Sequence, residues 1–382
     1  MKKSTNYFEV MSLIRSLSEE EKNMLASEIM AKLGKESREN KEDKKHRGCG
    51  ELIAESDAHR PDCPHCSAKA SMGNIIKKEV RKGVRYYYCK ACGRKFASTT
   101  GTTFARTRKD ADTWRKFISL TLSGASITVC QEDCGLSRQT AFNWRHKILH
   151  VFEENVKSTK MSGNVEVDEM LLPLSYKGNH IQGAFGARKD VPGAVNDMPR
   201  KSYKRGTDNK SMSAKEKACV FCMVESGNKS FYAAVPGVGF MTEPMLEKTV
   251  GRHIVKESAM MLADNYKITR KYFEDKGYQH TILSSNTSDN PHDHKPEVKD
   301  GLHMQHVNAM HRHIRKFLAP YCGVSSKYLS HYMALFVWLK SIGGTTKQKK
   351  TMDKVSVARA ATPDCYISNQ QLRNRPAVPQ CA

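Results

Sequence analysis

No run of apolar residues in this 382-residue chain approaches the roughly eighteen that a membrane helix needs. The longest candidate, Met333-Ala-Leu-Phe-Val-Trp-Leu339, falls far short, which excludes a bilayer-spanning helix. The amino terminus lacks the unbroken apolar core of a secretory signal, because Asn6 and Glu9 interrupt it. The expected location is intracellular, in the cytoplasm and with the nucleoid. Acidic residues are few beside basic ones, 40 against 63, for a formal net charge of +23. A chain so unbalanced repels itself unless it works against a polyanion, and nucleic acid is the simplest one. The stretch 35–47 has no apolar residue to anchor it, so segment 35–60 reads as a charged, flexible linker.

Upstream of that linker, residues 1–34 carry two helical patterns. Phe8, Met11, Ile14 and Leu17 share one face; Ser18 and Glu21 form a capping box for a second helix with Met24, Leu25, Ile29 and Leu33. A helical hairpin for packing or dimer contact is expected there. The twelve cysteines of an intracellular chain point to metal or burial rather than to disulfides. Cys63-Pro-His-Cys66 and Cys89-Lys-Ala-Cys92 are two Cys-x-x-Cys knuckles whose spacing closes a four-thiolate zinc site, defining a zinc ribbon over 61–100. Four thiolates leave no open coordination position, so this zinc is structural. Cys49 and His65 are spare candidates. Lys77, Lys78, Arg81, Lys82 and Arg85, beside the tyrosines at 86–88, put cations on the hairpin between the knuckles, where they can meet phosphate.

Residues 108–155 show a three-helix pattern expected of a helix-turn-helix DNA-binding domain. Trp114, Phe117, Ile118 and Leu122 mark the first helix; a short segment 126–134 follows, and Ser137 caps a third. In that third helix Ala141, Trp144, Ile148 and Val151 point inward. Arg138, Gln139, Asn143, His146 and Lys147 fall on the outer face, where they can reach base edges and phosphates in a major groove. An ordinary helical bundle with a solvated face has the same pattern.

Past residue 158 the period changes to α/β alternation: a strand near 165–172, a hairpin at 217–224 and 230–235, a helix near 242–254, a strand ending at Asp264, another helix, and a strand at 280–284. Cys219 and Cys222 fall on opposite faces of their strand and read as buried. This order suits a ribonuclease H-like sheet over 160–341, in which the strand carrying Asp168 and the one ending in Asp264 are central parallel neighbours. Two aspartates side by side repel, and bound divalent metal is a usual way to hold both ionised. Metal between such carboxylates cuts and joins phosphodiesters. Alternatively, Asp264 or Asn265 caps the helix predicted over 266–276. The remainder, 342–382, is basic and then rich in Pro, Asn and Gln, and reads as a disordered tail.

Several motifs in sequence, Cys63/Cys66/Cys89/Cys92, Thr140-Ala-Phe-Asn-Trp-Arg-His-Lys-Ile148, Val165-Glu-Val-Asp-Glu169 with Ser175-Tyr-Lys-Gly-Asn179, Asp264, and His306-Val-Asn308 leading to Gly323-Val-Ser-Ser-Lys-Tyr-Leu329, make the chain resemble a DDE-type insertion-sequence transposase. The resemblance is to the ISXO-like group, with an amino-terminal zinc ribbon and a helix-turn-helix, and covers roughly 60–340. It implies binding of double-stranded DNA at the terminal inverted repeats of a mobile element, metal-dependent strand cleavage, and transfer into target DNA by a homo-oligomeric synaptic complex. Magnesium or manganese would lie between Asp168 and Asp264. The family pattern expects a glutamate on the helix after the last strand, yet 306–318 contains no acid. His311 stands at that motif position; Asn308, three residues earlier on the same face, offers the amide oxygen that magnesium prefers to imidazole, and is favoured. Arg312, Arg315 and Lys316 follow as cations for the scissile backbone. Asp289, Asp293 and Glu297, in the preceding loop, are further carboxylates. Two other readings stay open: a catalytically inactive DNA-binding protein derived from a transposase, and a ribonuclease H-like nuclease or resolvase.

Overall fold

The computed structural model describes residues 18, 49, 51–54, 61–81, 83–175, 217–226, 230–264, 266–284, 297–342, 355–358, 360–361 and 366–376. Apart from Ser18, the helical hairpin expected over 1–34 lies outside these residues, as do nearly all of the linker, Lys82, the segment 176–210, Asn265, Asp289 and Asp293. Among the described residues no helix is long and apolar enough to cross a membrane.

The first sheet is small. Strands β1 (Ile75–Arg81), β2 (Val84–Cys89) and β3 (Lys95–Ala97) pair antiparallel in that order. Gly83, at φ 74°, makes the turn between the first two, a conformation most side chains resist. So little sheet encloses only a thin core: Ile75, Tyr87 and Phe96 bury themselves against Cys63 and Cys89. Tyr87 turns inward onto Phe96, while Arg81 lies over the Tyr86 ring and Lys78 over Tyr88.

Three helices follow. In α1 (Ala111–Leu122), α2 (Ile127–Asp133) and α3 (Arg138–Ser158), the N-cap residues Asp110, Ser126 and Ser137 each accept a hydrogen bond from the amide three residues on, which fixes where each helix starts. Trp114 of α1 stacks flat on Trp144 of α3 at 3.5 Å between centroids, the centre of their shared core. At 21 residues, α3 is longer than a three-helix unit needs. Its second half leaves the trio and packs on a late helix of the chain.

The larger sheet has five strands: β4 (Met161–Pro173), β5 (Lys217–Glu225), β6 (Phe231–Val238), β7 (Ile254–Ala263) and β8 (Gln279–Ile282), in spatial order β6-β5-β4-β7-β8. β5 pairs antiparallel with both β4 and β6; β7 runs parallel to β4, and β8 parallel to β7. Eight of the nine β5 residues are buried, as a strand covered on both faces requires. Cys219 and Cys222 are both buried there. Helices α4 (Glu243–His253) and α5 (Lys267–Lys276) precede β7 and β8. Beyond the sheet come α6 (Gln305–Leu318) and α7 (Leu329–Ile342), and α7 docks against α3 and β6.

The sequence reads as a disordered tail after residue 342, whereas the structure folds part of it. Ile367 and Leu372 are buried, and the short helix α8 (Asn369–Asn374) starts at a Ser368 capping box. Arg375 makes a two-pronged pair with Glu153 of α3, at 2.8 and 3.2 Å. Glu153 is nearly buried and needs a cation. The one that meets it lies 222 residues away, beyond the reach of any local sequence pattern.

Candidate active site and metal centre

The ribbon's knuckles are preorganised. Cys63 Sγ lies 3.7 Å from Cys92 Sγ and Cys66 Sγ 3.6 Å from Cys89 Sγ, and the four sulfurs lie within 4.8 Å of one another. A tetrahedral ion with zinc–sulfur bonds of about 2.3 Å sets its sulfurs about 3.8 Å apart, so the set is compatible with zinc. Burial raises the Cys63 thiol, but amides of His65 and Cys66 outweigh it and bring Cys63 down to about 7. Thiolate is the form a metal takes. His65 and Cys49 are outside this cluster; Cys49 donates to the Lys109 carbonyl at 2.9 Å.

In the large sheet the parallel register pairs Val167 with Ala263, so Asp168 on β4 and Asp264 just past β7 are the next residues of two adjacent strands. Asp168 is 27 % exposed and accepts the Glu169 amide at 2.9 Å. Burial first, then the charges of Glu169 and Asp264, raise its carboxyl to about 7. Glu169 is raised too, by burial and by Asp264. Burial and the neighbouring charges thus hold the Asp168 and Glu169 carboxyls above their ordinary range beside Asp264.

Helix α6 brings the third component. His311 is buried, with Nδ1 3.7 Å from Asp168 Oδ2, and its Nε2 has no hydrogen-bond partner among the described residues. Burial and Arg315 lower it to about 4, so the imidazole is neutral and its nitrogens are available as ligands. Asn308 lies one turn earlier and is exposed, as are Arg312, Arg315 and Lys316. The Glu297 carboxylate accepts the Ser284 amide at 2.7 Å, which ties it to the end of β8. Asp168, Asp264 and a group from α6 are thus the set that could hold a divalent cation.

Two arrangements escaped the sequence. Glu166, a fully buried carboxylate on β4, accepts the backbone amides of His306 and Val307, both at 2.9 Å. A glutamate two residues before an aspartate carries no local sign of that partnership. The other is a buried polar knot. His146 Nδ1 meets His331 Nδ1 at 2.9 Å, and Glu153 with Arg375 completes it.

The knot corrects the placement of His146 on the outer face of the third helix: the residue is 1 % exposed, stacked on Tyr328 at 4.0 Å. The helical wheel assumed solvent where α7 is packed. Arg138 and Gln139 are exposed; Asn143 and Lys147 are partly so, Asn143 accepting from Gln139 and Lys147 lying over the Tyr366 ring.

Residues 160–340, which hold both aspartates and α6, match the ISXO2-like transposase domain. A protein of Halobacterium salinarum, described as an uncharacterized protein in transposable element ISH50, is 21 % identical over 275 residues, spanning 72 % of this chain and 83 % of that protein. These likenesses support an insertion-sequence transposase, with residues 160–340 similar to the ISXO2-like transposase domain.

Proposed function

We propose that this protein is a DNA transposase that binds the terminal inverted repeats of its element, cleaves there in a metal-dependent step, and joins the freed ends to target DNA. The observation that carries the reading is the pairing of Val167 with Ala263, which makes Asp168, within β4, and Asp264, just past the end of β7, neighbours across two parallel strands. The sheet order β6-β5-β4-β7-β8, with one antiparallel half and one parallel half, supports a ribonuclease H-like catalytic domain.

The acids fit a divalent cation. Burial and the like charges beside them raise Asp168 and Glu169, a strain that a divalent ion relieves, and the buried His311 Nε2 has no hydrogen-bond partner among the described residues. Magnesium or manganese would be held by Asp168, Asp264 and a group from α6, either Asn308, whose amide oxygen suits a hard ion, or His311. When bound, such an ion supplies Lewis acidity for attack of an oxygen nucleophile on a phosphodiester. Asp168, raised to about 7, can also hold or release a proton near neutral pH. Arg312, Arg315 and Lys316 bind the DNA backbone beside the scissile bond. The first turns of α3, with Arg138, Gln139 and Asn143, enter a groove as the reading helix of a helix-turn-helix. The four cysteines hold structural zinc, and a synaptic homo-oligomer aligns two element ends.

An oligonucleotide assay with candidate inverted repeats, in magnesium and in manganese, tests this. Cleavage and joining that vanish in Asp168→Ala and in Asp264→Ala are expected. Specific binding without cleavage in either metal would leave a DNA-binding protein only, and cutting without joining a nuclease or resolvase.

A further inference from the structure

An ionised carboxylate in a strand interior is costly unless donors surround it. Glu166 is 0 % exposed, between Val224 and Leu262 in the two flanking strands. Its Oε2 accepts the amides of His306 and Val307. Its Oε1 accepts His306 Nδ1 at 2.5 Å and Ser226 Oγ at 3.4 Å, with His303 Nδ1 at 3.7 Å. The partners at the start of α6 meet a need of the helix. Its N-cap, Met304, supplies no side-chain hydrogen bond and its first turn holds no acid; the Gln305 amide has a local acceptor in His303 Nδ1 at 3.4 Å, but the amides of His306 and Val307 and the positive end of the helix dipole have no local answer. Glu166 answers both from 140 residues away.

The same strand touches the helix again. Asp168, two residues on and on the same face of β4, lies against His311. Two residues along a strand advance about 6.7 Å, and the four from Val307 to His311 advance about 6 Å along a helix axis, so the two contacts are in step. A helix held at both points can neither slide nor rotate without breaking one.

We infer that Glu166 is a positioning residue: by capping α6 it sets the distance from Asn308 and His311 to Asp168, and so the affinity of the site for its divalent ion. The inference rests on the metal-dependent reading above. Glu166 itself touches no reacting atom; it acts through the helix.

The test uses the full-length chain with three variants, Glu166→Ala, Glu166→Gln and His306→Ala, with manganese binding by calorimetry and amide hydrogen exchange over 305–311. Glu166→Ala is expected to speed exchange at the α6 start and to weaken manganese binding by about tenfold or more, as loss of an orienting partner does. Glu166→Gln keeps an oxygen for the two amides and should retain slow exchange and most of the affinity. His306→Ala removes one side-chain donor and leaves both amides in place, so its effect should be small. Wild-type affinity in Glu166→Ala with a frayed helix start would overturn the inference, as would equal losses in the Ala and Gln variants. If Glu166→Ala does not fold, Glu166→Gln and His306→Ala decide: a tenfold loss in both, with exchange unchanged, would overturn it. Absence of manganese binding by the wild type would instead sink the metal reading, and the exchange comparison would still report whether Glu166 caps the helix.

Discussion

His146 of α3 and His331 of α7 meet nitrogen to nitrogen at 2.9 Å, with 1 % and 0 % of their surfaces exposed. Their rings weld the helix that starts among the candidate DNA-reading residues to a helix of the transposase domain. Arg375 closes the knot by contacting Glu153, Ser330 and His331 together. Helix α3 and helix α7, which packs on β6 of the large sheet, are therefore joined by a buried polar contact at this seam.

Arg375→Ala leaves Glu153 near-buried without its principal cation. Breaking such a pair costs roughly 3 kcal/mol or more. Denaturant unfolding should show a loss of that order, and truncation before residue 366 should cost at least as much, since Ile367 and Leu372 lose their burial too. Unchanged stability in both variants would mean that the carboxy-terminal segment contributes nothing to the fold.

Burial, reinforced by neighbouring cations, lowers His146 well below the ordinary histidine value, and burial lowers His331. Both stay neutral when folded while the unfolded chain takes up protons below about 6.5, so their share of stability is present above that pH and lost as pH falls. Melting temperature measured from pH 7.5 to 5 should decline on the acid side. His146→Gln should flatten that decline, and an unaltered slope in the variant would refute the assignment.

Asp168 works in the opposite direction. Its carboxyl is raised to about 7, so in metal-free protein the folded state holds a proton that the unfolded state has released. Stability from this group is lost as pH rises from about 4 to about 7, on the order of a few kcal/mol at most. A divalent ion should reverse the loss, raising the melting temperature far more at pH 8 than at pH 5.5. Asp168→Asn should melt higher than the metal-free parent at pH 8 and gain nothing from manganese. A manganese-induced rise in that variant equal to the parent's would show that the ion binds elsewhere.

Zinc quantification should find a single ion per chain, lost from Cys63→Ser or Cys89→Ser. Because the ribbon's own core is only a few side chains, chelation should unfold it and leave the melting of the large sheet unchanged. A metal-free wild type that keeps slow exchange in β1 and β2 would refute a structural ion.

Binding to inverted-repeat DNA should weaken in Arg138→Ala, a residue exposed on the first turn of α3, while His146→Gln should alter stability without altering contact with DNA. Fluorescence anisotropy at fixed salt separates the two. Equal loss in both variants would place the interface away from the start of α3.

What the amino-acid order determined by itself is everything with a short period. The knuckle spacing brings two cysteine pairs onto tight turns, the caps at Asp110, Ser126 and Ser137 start three helices, and apolar runs that end at Asp168 and Asp264 mark strands. Each depends on neighbours a few residues apart, and backbone geometry repeats at that scale. What only the tertiary structure decided is which side of a helix meets solvent and which distant group answers a buried charge. His146 was legible as an outer-face residue because a helical wheel has no knowledge of α7. Glu166 finds its donors 140 residues on and Glu153 its arginine 222 residues on, because burying an ionised group demands a partner but does not specify where in the chain that partner stands.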